Sequence, residues 1–242
     1  MNVQNETPVV FDKILLKLSG EALAGSLGYG IDETMVDFFT EEIIKIVKLG
    51  VKVAIVVGGG NIFRGLKGIK QGIERLKGDF MGMLATTINA LALESFFNTK
   101  GYKAKVLTST FMEPYAERYS PWRAHNYLDK NYILIFAGGT GNPFFTTDTA
   151  AALRAVEIGA DVLIKATNVD GVYSDNPKNN PNAVKYDTLD FKTAIEKNLQ
   201  VVDMTAFAMC YENNLPLIVY NAHKADNLLK IIKGQKIGTL VK

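Results

Sequence analysis

The chain lacks the residues on which disulfide-stabilised and zinc-dependent proteins depend. Cys210 is its only cysteine, and His125 and His223 are its only histidines. A lone cysteine cannot form an internal disulfide, and these three residues form no zinc-ligand pattern. The composition therefore excludes a disulfide scaffold, argues against a zinc centre, and suits a reducing compartment such as the cytoplasm.

The chain also has little net charge and no apolar run of membrane-spanning length. Its 27 Lys and Arg against 25 Asp and Glu leave a net charge of +2, too little for a protein that binds nucleic acid mainly through phosphates. The longest basic stretch, Lys67–Lys77, is interrupted by glycine and apolar residues. No stretch approaches ~20 apolar residues, and the start has no signal-peptide core. These features predict a soluble cytoplasmic protein that needs neither nucleic acid nor a membrane.

Short apolar runs rich in Val and Ile alternate with longer amphipathic segments. The runs predict strands covered on both faces, at Ile14–Leu18, Val51–Val57, Ala104–Leu107, Tyr132–Ala137, Asp161–Ala166 and Leu215–Tyr220. The amphipathic segments predict helices over Thr34–Leu49, Asp79–Asn98, Thr147–Ile158, Thr205–Asn213 and Lys224–Ile232. Such alternation favours an α/β fold with a mostly parallel sheet between helices. Three segments break the rhythm: Glu21–Ile31 predicts a mobile loop, Met112–Pro121 an irregular segment, and Tyr173–Asp187 a hairpin.

Glycine-rich or polar sequences follow four of the predicted strands. They are Lys17–Gly20, Gly58–Asn61 with Arg64 behind, Gly138–Asp148, and Lys165–Gly171. One such cluster is usually a tight turn, but four at one sheet edge favour backbone N–H groups that bind anions. No glycine precedes a lysine, so there is no P-loop, and no G-x-G-x-x-G follows a strand. The pattern predicts distributed phosphate contacts.

Two lysines and two aspartates stand where phosphoryl transfer would use them. Lys17 and Lys165 lie at or near the ends of predicted apolar strands. A lysine there needs an anionic partner, unless its aliphatic side chain extends far enough for the ammonium group to reach solvent. Paired lysines suit a reaction whose charge spreads over phosphoryl oxygens. Asp148 and Asp203 either cap helices or hold the lysines and a metal. No G-x-S-x-G nucleophile motif is present.

Four segments together resemble the bacterial UMP kinases of the amino-acid kinase superfamily. The first two, Leu15–Leu23 and Gly58–Gly65, occur loosely across the superfamily, whereas Gly78–Thr86 and Thr140–Asp148 are specific to the uridylate branch. The resemblance covers Lys13 to Leu240. It implies a three-layer αβα sandwich around a mostly parallel sheet of about eight strands. It also implies one domain over 1–242, with an acceptor-binding lobe at about 1–160 and an ATP-binding lobe at about 161–242.

The resemblance further implies ATP-dependent phosphorylation of UMP to UDP, with Mg²⁺ carried by the nucleotide. It implies that ATP is bound by Lys17, Leu18, Ser19, Gly20, Gly60, Arg64, Thr167, Asn168, Tyr173 and Asn176. It assigns UMP to Gly59, Asp79, Thr140, Gly141, Asn142, Pro143, Phe144, Phe145, Thr146 and Thr147. Catalysis falls to Lys17, Lys165, Asp148, Asp203 and Arg64, with no dedicated protein metal site. Relatives often carry an acidic residue where this chain has Asn176, one place after Asp175, so either residue is a candidate for the nucleotide contact.

Regulation and assembly are also implied by the resemblance. UTP would act as a feedback inhibitor, and GTP as an effector through the loop Gly25, Ser26, Leu27, Gly28, Tyr29 and Gly30. Glu94 argues against GTP activation, because some activated relatives carry a basic residue there. A homohexamer built from dimers is implied, with Phe96, Phe97, Tyr119 and Trp122 as candidate contacts. Two alternatives stay open: a sibling kinase of a small carboxylate such as glutamate or carbamate, and a non-catalytic nucleotide sensor.

Overall fold

A nine-stranded sheet forms the centre of the computed structural model, which describes residues 8–64, 72–175, 177, 179, 180, 182–197, 199 and 202–242. The strands are β1 (Lys13–Leu18), β2 (Lys52–Val57), β3 (Ala104–Thr108), β4 (Glu117–Arg118), β5 (Ile133–Ala137), β6 (Val162–Thr167), β7 (Val172–Tyr173), β8 (Lys185–Tyr186), β9 (Thr188–Leu189), β10 (Leu217–Asn221) and β11 (Thr239–Val241). The sheet order is β4-β3-β5-β2-β1-β6-β10-β11-β9, and β7 pairs separately with β8. All neighbours in the sheet run parallel except β10 and β11.

Helices cover both faces of this sheet. They are α1 (Gly20–Ala24), α2 (Glu33–Val47), α3 (Arg75–Thr99), α4 (Pro121–Asp129), α5 (Thr147–Ile158), α6 (Phe191–Glu196), α7 (Met204–Glu212) and α8 (Asn227–Ile232). One hydrophobic core holds Ile14, Leu16 and Leu18 with α2, α3 and α8, and the other holds Leu15 with α4, α5 and α7. Successive β1 side chains thus enter opposite cores, as the two-residue period of a strand requires. The three-layer α/β sandwich expected from the sequence is confirmed, with nine strands rather than eight.

Helix α3 is apolar enough over its 25 residues to match a membrane span by length and composition. This differs from the expectation that no such stretch exists. The helix nevertheless packs on the sheet, where Ala90, Leu93 and Phe97 lie in the core. Burial of Phe97 also contradicts its candidate role as a contact between subunits.

Two irregular segments gain definition in the structure. The predicted mobile loop Glu21–Ile31 starts within α1, which Ser19 caps by accepting a hydrogen bond from the Ala22 amide at 3.2 Å, and continues into a 3₁₀ turn at Gly25–Leu27. The expected hairpin within Tyr173–Asp187 is confirmed by the antiparallel β7–β8 pair. Asn176 and residues 67–71 of the basic stretch Lys67–Lys77 lie outside the described residues.

Candidate active site

The carboxyl end of β1 lies at the point where the sheet topology reverses. β1 is flanked by β2 on one side and β6 on the other, so the chain leaves β1 toward one edge and later returns to its opposite side. Open α/β sheets bind ligands in the crevice at such a point. Lys17 and Lys165 are direct partners in the β1–β6 register, which places both lysines at this crevice.

Asp148 joins the two lysines. Its Oδ1 lies 2.8 Å from the Lys17 Nζ and its Oδ2 lies 2.6 Å from the Lys165 Nζ. The exposed fractions of the three side chains are 14% for Asp148, 11% for Lys17 and 18% for Lys165. Both lysines share the strand face of Leu15 and Leu163, which packs against the layer containing α5. The strand period therefore turns both ammonium groups toward the first turn of α5, where Asp148 stands.

Asp203 holds two helix starts together. It caps α7 by accepting from the Ala206 amide at 2.9 Å, and it accepts from the Thr149 amide and hydroxyl at 3.1 and 2.9 Å. The Thr146 hydroxyl donates to the same carboxylate. Thr146 in turn caps α5, accepting from the Asp148 amide at 3.0 Å. The helix-cap interpretation is thus confirmed for Asp203 and wrong for Asp148, whose side chain is used by the lysines.

A cavity of about 170 Å³ opens beyond the ends of β2 and β5, on one side of the lysine pair. It is lined by Gly59, Gly60, Phe63, Gly78, Asp79, Gly82, Met83, Thr86, Gly139, Thr140, Phe145, Thr146 and Thr147. Its floor depends on close packing: a Cβ on Gly59 would lie 2.8 Å from both the Ala85 Cβ and the Gly82 carbonyl oxygen. A glycine at residue 59 therefore lets the strand end touch α3.

Two larger cavities, of about 590 and 620 Å³, lie on the other side and share Lys165, Thr167 and Asn168. The first is also lined by Lys17, Ser19, Glu21, Ala22, Gly25, Ser26, Gly28, Met35, Arg64, Ala166 and His223. The second is also lined by Val169, Gly171, Val172, Tyr173, Ser174, Asp175, Pro177, Lys197, Leu199 and Val219. The cluster of Lys17, Asp148 and Lys165 thus lies between the small cavity on one side and the two larger cavities on the other.

Comparison with known proteins identifies the family. Residues 12–221 match the model of the amino acid kinase family. The chain belongs to the amino acid kinase family. It is 50% identical to the uridylate kinase of Parabacteroides distasonis and 49% identical to that of Porphyromonas gingivalis, over 96% of this chain and 98% and 97% of theirs. The crystal structure of UMP kinase from Bacillus anthracis superposes with a TM-score of 0.93 at 38% identity, covering 96% of both chains. The crystal structure of uridylate kinase from Archaeoglobus fulgidus superposes with a TM-score of 0.72 at 29% identity, covering 95% of this chain and all of that one.

The electrostatics of this amino acid kinase centre on Asp148. Burial raises the pKa of its carboxyl group, but the charges of Lys17 and Lys165 outweigh burial, so its net pKa is lowered. Burial lowers the pKa of Lys165, and the nearby positive charge of Lys17 adds to this, while Asp148 and Asp203 oppose it. Lys17, Lys165 and Asp148 together thus carry one more positive than negative charge, which suits an anionic ligand.

Asp79, one of the expected UMP-binding residues, is already engaged at the small cavity. Arg75 Nε donates to its two carboxylate oxygens at 3.0 and 2.9 Å, and the Phe144 amide donates at 2.9 Å. Helix α3 begins at Arg75, a turn earlier than predicted, which puts Arg75 and Asp79 four residues apart on one face. The Arg75 guanidinium also lies 5.6 Å from the centre of the Phe144 ring. These contacts fix the carboxylate at the cavity rim.

The structure places most, though not all, of the predicted residues on cavity walls. Lys17, Ser19, Arg64, Thr167, Asn168 and Tyr173 line the large cavities, and Gly59, Asp79, Thr140, Phe145, Thr146 and Thr147 line the small one. Gly60 lines the small cavity rather than the large ones. Leu18 and Gly20 are buried, and Gly141, Asn142, Pro143 and Phe144 form the turn beside the small cavity without lining it. Asn176 lies outside the described residues.

Several wall residues escaped the sequence analysis. Met35, Lys197, Leu199, Val219 and His223 line the large cavities but belong to no motif of the sequence. Strand-end position offers a partial signal for His223, which follows β10 at the same sheet edge. In the described part of the chain, no group of three or more His, Cys, Asp or Glu side chains is arranged to hold a metal ion.

Proposed function

We propose that this amino acid kinase transfers the γ-phosphoryl group of ATP to UMP, forming UDP and ADP for pyrimidine nucleotide synthesis. The observation that carries the proposal is the Lys17–Asp148–Lys165 cluster, which stands between two cavities on opposite sides of the topological switch point. Relatives at about half identity over nearly the whole chain are uridylate kinases. Both the geometry and the relationship therefore favour direct transfer between two bound nucleotides.

The small cavity is the proposed acceptor site. Asp79 would accept hydrogen bonds from the ribose hydroxyls, because its carboxylate is held at the rim by Arg75 and the Phe144 amide. Gly59 and the segment Thr140–Thr147 would enclose the rest of the nucleotide. Acceptor binding would thus depend on the region before residue 160, in line with the proposed acceptor-binding lobe.

The large cavities are the proposed ATP site. Lys17, Ser19 and Arg64 would face the phosphates. Thr167, Asn168 and Tyr173 would lie along the adenine side, with Asp175 or Asn176 completing it. Asp175 lines the cavity, and its carboxylate accepts a hydrogen bond from the Asn180 side-chain Nδ2 at 2.9 Å. This supports Asp175 as the candidate contact.

The transfer needs little covalent chemistry from the protein. A phosphate oxygen of UMP forms the new P–O bond as the bond between the γ-phosphorus and the ADP oxygen breaks, so no general base is required. Lys17 and Lys165 would stabilise the charge on the transferring group, since donors aimed at developing charge lower the barrier. Asp148 would hold both ammonium groups in position. Asp203 would keep α5 and α7 aligned behind them.

Mg²⁺ would reach the site on the ATP phosphates, where it neutralises charge. This ion is usually held by one or two carboxylates together with substrate phosphates and water. Asp148 and Asp203 are the carboxylates near Lys165, and both are already engaged, Asp148 by the two lysines and Asp203 by hydrogen bonds at the starts of α5 and α7. They would therefore organise the surroundings of the ion, while the nucleotide phosphates and water hold it. The protein would need no separate cage of ligands.

Assembly, regulation and location follow as further parts of the proposal. Met81, Leu84 and Ile88 are exposed at helical spacing on α3, and Trp122 is exposed on α4, which supports contacts between subunits. The proposed assembly is a homohexamer. UTP would inhibit by occupying the UMP site, and a GTP effector would act through the loop Gly25–Gly30. Glu94 accepts a hydrogen bond from the Val106 amide at 2.8 Å, so its carboxylate links α3 to β3. The cytoplasm, with its ATP pool, is the proposed location.

One assay tests the function against both alternatives. Purified protein is incubated with Mg-ATP and, separately, UMP, CMP, glutamate and carbamate, and ADP is measured. We expect ADP and UDP in equal amounts with UMP. ADP formed only with glutamate or carbamate would identify a sibling kinase, and nucleotide binding without ADP would identify a sensor. Either result overturns the proposal.

A further inference from the structure

The turn that closes the acceptor cavity is rich in glycine and is closed by one backbone hydrogen bond, in which the Gly141 amide donates to the Gly138 carbonyl oxygen at 3.0 Å. Gly138, Gly139 and Gly141 have φ angles of +74°, +59° and +83°, in the left-handed region that favours glycine. Gly139 and the neighbouring Thr140 line the acceptor cavity. Glycine is the most conformationally free residue, so a run of glycines keeps one geometry only if other groups fix it.

Two hydroxyl groups from neighbouring elements fix this turn. On one side, the Gly138 amide donates to the Thr86 Oγ1 at 2.8 Å, and Thr86 itself lines the cavity. On the other side, the Ser109 Oγ donates to the Gly139 carbonyl oxygen at 2.6 Å. Ser109 follows β3 and does not line the cavity, although the turn packs against it: a Cβ on Gly141 would lie 3.1 Å from the Ser109 Cβ.

Arg154 determines the direction in which the Ser109 hydroxyl donates. Its Nη2 donates to the Ser109 Oγ at 3.2 Å. A hydroxyl has one hydrogen, and an oxygen that accepts from a guanidinium must direct that hydrogen elsewhere. The Gly139 carbonyl is the acceptor at the shorter distance, since the Ala137 carbonyl lies 3.4 Å away. Arg154 therefore favours the hydrogen bond to the turn.

The guanidinium is buried among partners that lie away from the reacting groups. Arg154 is 5% exposed, its Nη1 lies 2.5 Å from the Glu157 Oε2, and its Cζ lies 3.7 Å from the centre of the Tyr119 ring. The Tyr119 hydroxyl donates to the same Glu157 oxygen at 2.6 Å. An apolar side chain often serves stability as well as a buried ion pair does. The contact with Ser109 is what links this cluster to the acceptor turn.

We propose that Arg154 and Ser109 are positioning residues for the acceptor nucleotide: they hold the Gly138–Gly141 turn in the shape that binds UMP, without touching it. The inference rests on the proposed function, since it names UMP as the ligand of the cavity. Loss of either residue should weaken the acceptor site and leave the ATP site as it was.

The test compares Ser109→Ala, Arg154→Met and the double variant. A neutral hydrogen bond contributes about 0.5–1.5 kcal/mol, so Ser109→Ala should raise the KM for UMP by roughly 3- to 10-fold with little change in the KM for ATP. Because Arg154 acts through Ser109, the double variant should resemble Ser109→Ala rather than show the product of the two effects. Arg154→Lys, which keeps a charged donor, should restore part of the loss. The Kd of UMP, measured by calorimetry, should change in parallel.

Lys45→Met is the matched control, because Lys45, like Arg154, pairs with a glutamate three residues away on its own helix, at 2.5 Å from Glu42, but lies on α2 away from the turn. It should lower the melting temperature and leave the KM for UMP unchanged. An unchanged KM and Kd for UMP in Ser109→Ala would overturn the inference, even if Arg154→Met failed to fold. Multiplicative effects in the double variant would also overturn it. Failure of the wild-type protein to phosphorylate UMP would instead overturn the proposed function.

Discussion

Replacing Asp148 with asparagine removes the charge that holds two lysines side by side. The Lys17 and Lys165 ammonium groups contact different oxygens of one carboxylate, at 2.8 and 2.6 Å. Asparagine keeps the shape of this side chain but offers one acceptor oxygen and no charge. The variant therefore tests electrostatics with little change in packing.

The size of the effect follows from Coulomb's law. Asp148→Asn removes the attraction between the Asp148 charge and the Lys165 ammonium, which at a charge separation of about 4 Å and an effective dielectric constant of about 20 is roughly 4 kcal/mol. Burial and Lys17 already lower the pKa of Lys165, while Asp148 opposes them. Loss of Asp148 removes that opposition, so the pKa of Lys165 falls further and its active, protonated form is lost at lower pH.

The assay is the pH dependence of kcat/KM for ATP, which reports ionisations of the free enzyme. We expect the alkaline limb to move to lower pH by roughly three pH units in Asp148→Asn, the equivalent of that free energy. The alkaline limb of kcat should move less, because bound phosphates replace part of the missing negative charge. Asp190→Asn, at the cap of α6 and away from both nucleotide cavities, should leave both profiles unchanged.

An unmoved alkaline limb in a folded Asp148→Asn protein would refute this reasoning. Thermal melts establish folding independently, and some loss of stability is expected because removing one partner of a buried ion pair costs about 3–5 kcal/mol. The stability has a pH signature of its own. The pKa of Asp148 is lower in the folded protein than the usual 3.8, so wild type should lose this stabilisation as the pH falls through the folded-state pKa, and the variant should lack that loss.

Three further substitutions separate the roles of the site. Lys165→Ala should lower kcat by roughly a hundredfold or more with a smaller change in KM, as for one preorganised electrostatic donor; equal changes in both KM values with little loss of kcat would contradict this role. Asp79→Asn should raise the KM for UMP and leave that for ATP unchanged, and steady-state kinetics with the opposite pattern would reverse the two nucleotide sites. Gly59→Ala forces a Cβ to within 2.8 Å of α3. Such overpacking costs about 1–3 kcal/mol, so both the melting temperature and the affinity for UMP should fall. A variant with the wild-type melting temperature and KM for UMP would show that this contact is unimportant.

The fold was predictable where local pattern and burial agree. Continuous apolar runs such as Ile14–Leu18 can be covered only on both faces, which makes a parallel α/β sheet the consistent solution. All six predicted strands reappear: five of them within one residue at each end, and Leu215–Tyr220 as Leu217–Asn221. The short strands β4, β9 and β11 were missed, because two or three residues carry no periodic signal. Their pairing depends on neighbours distant in sequence.

The types of residue at the site were likewise available from the chain. Lysines at strand ends and glycines after strands indicate anion binding through the cost of burying charge and the freedom of a backbone without Cβ. The resemblance assigned them to two nucleotides. It did not reveal Arg75 at Asp79, because that contact depends on α3 starting a turn earlier than its apolar pattern suggests.

The tertiary structure alone decided which charges meet. Lys17, Asp148 and Lys165 are far apart in sequence, and Asp148 by itself was as consistent with a helix cap as with a partner for the lysines. Register between β1 and β6 brings the lysines together, and packing of α5 on that strand face brings Asp148 between them. The same is true of Arg154, which lies 45 residues from Ser109 in the sequence and meets it only in the folded protein. Local pattern determines which surfaces must be buried, whereas pairing among side chains distant in sequence is set by how the buried surfaces pack.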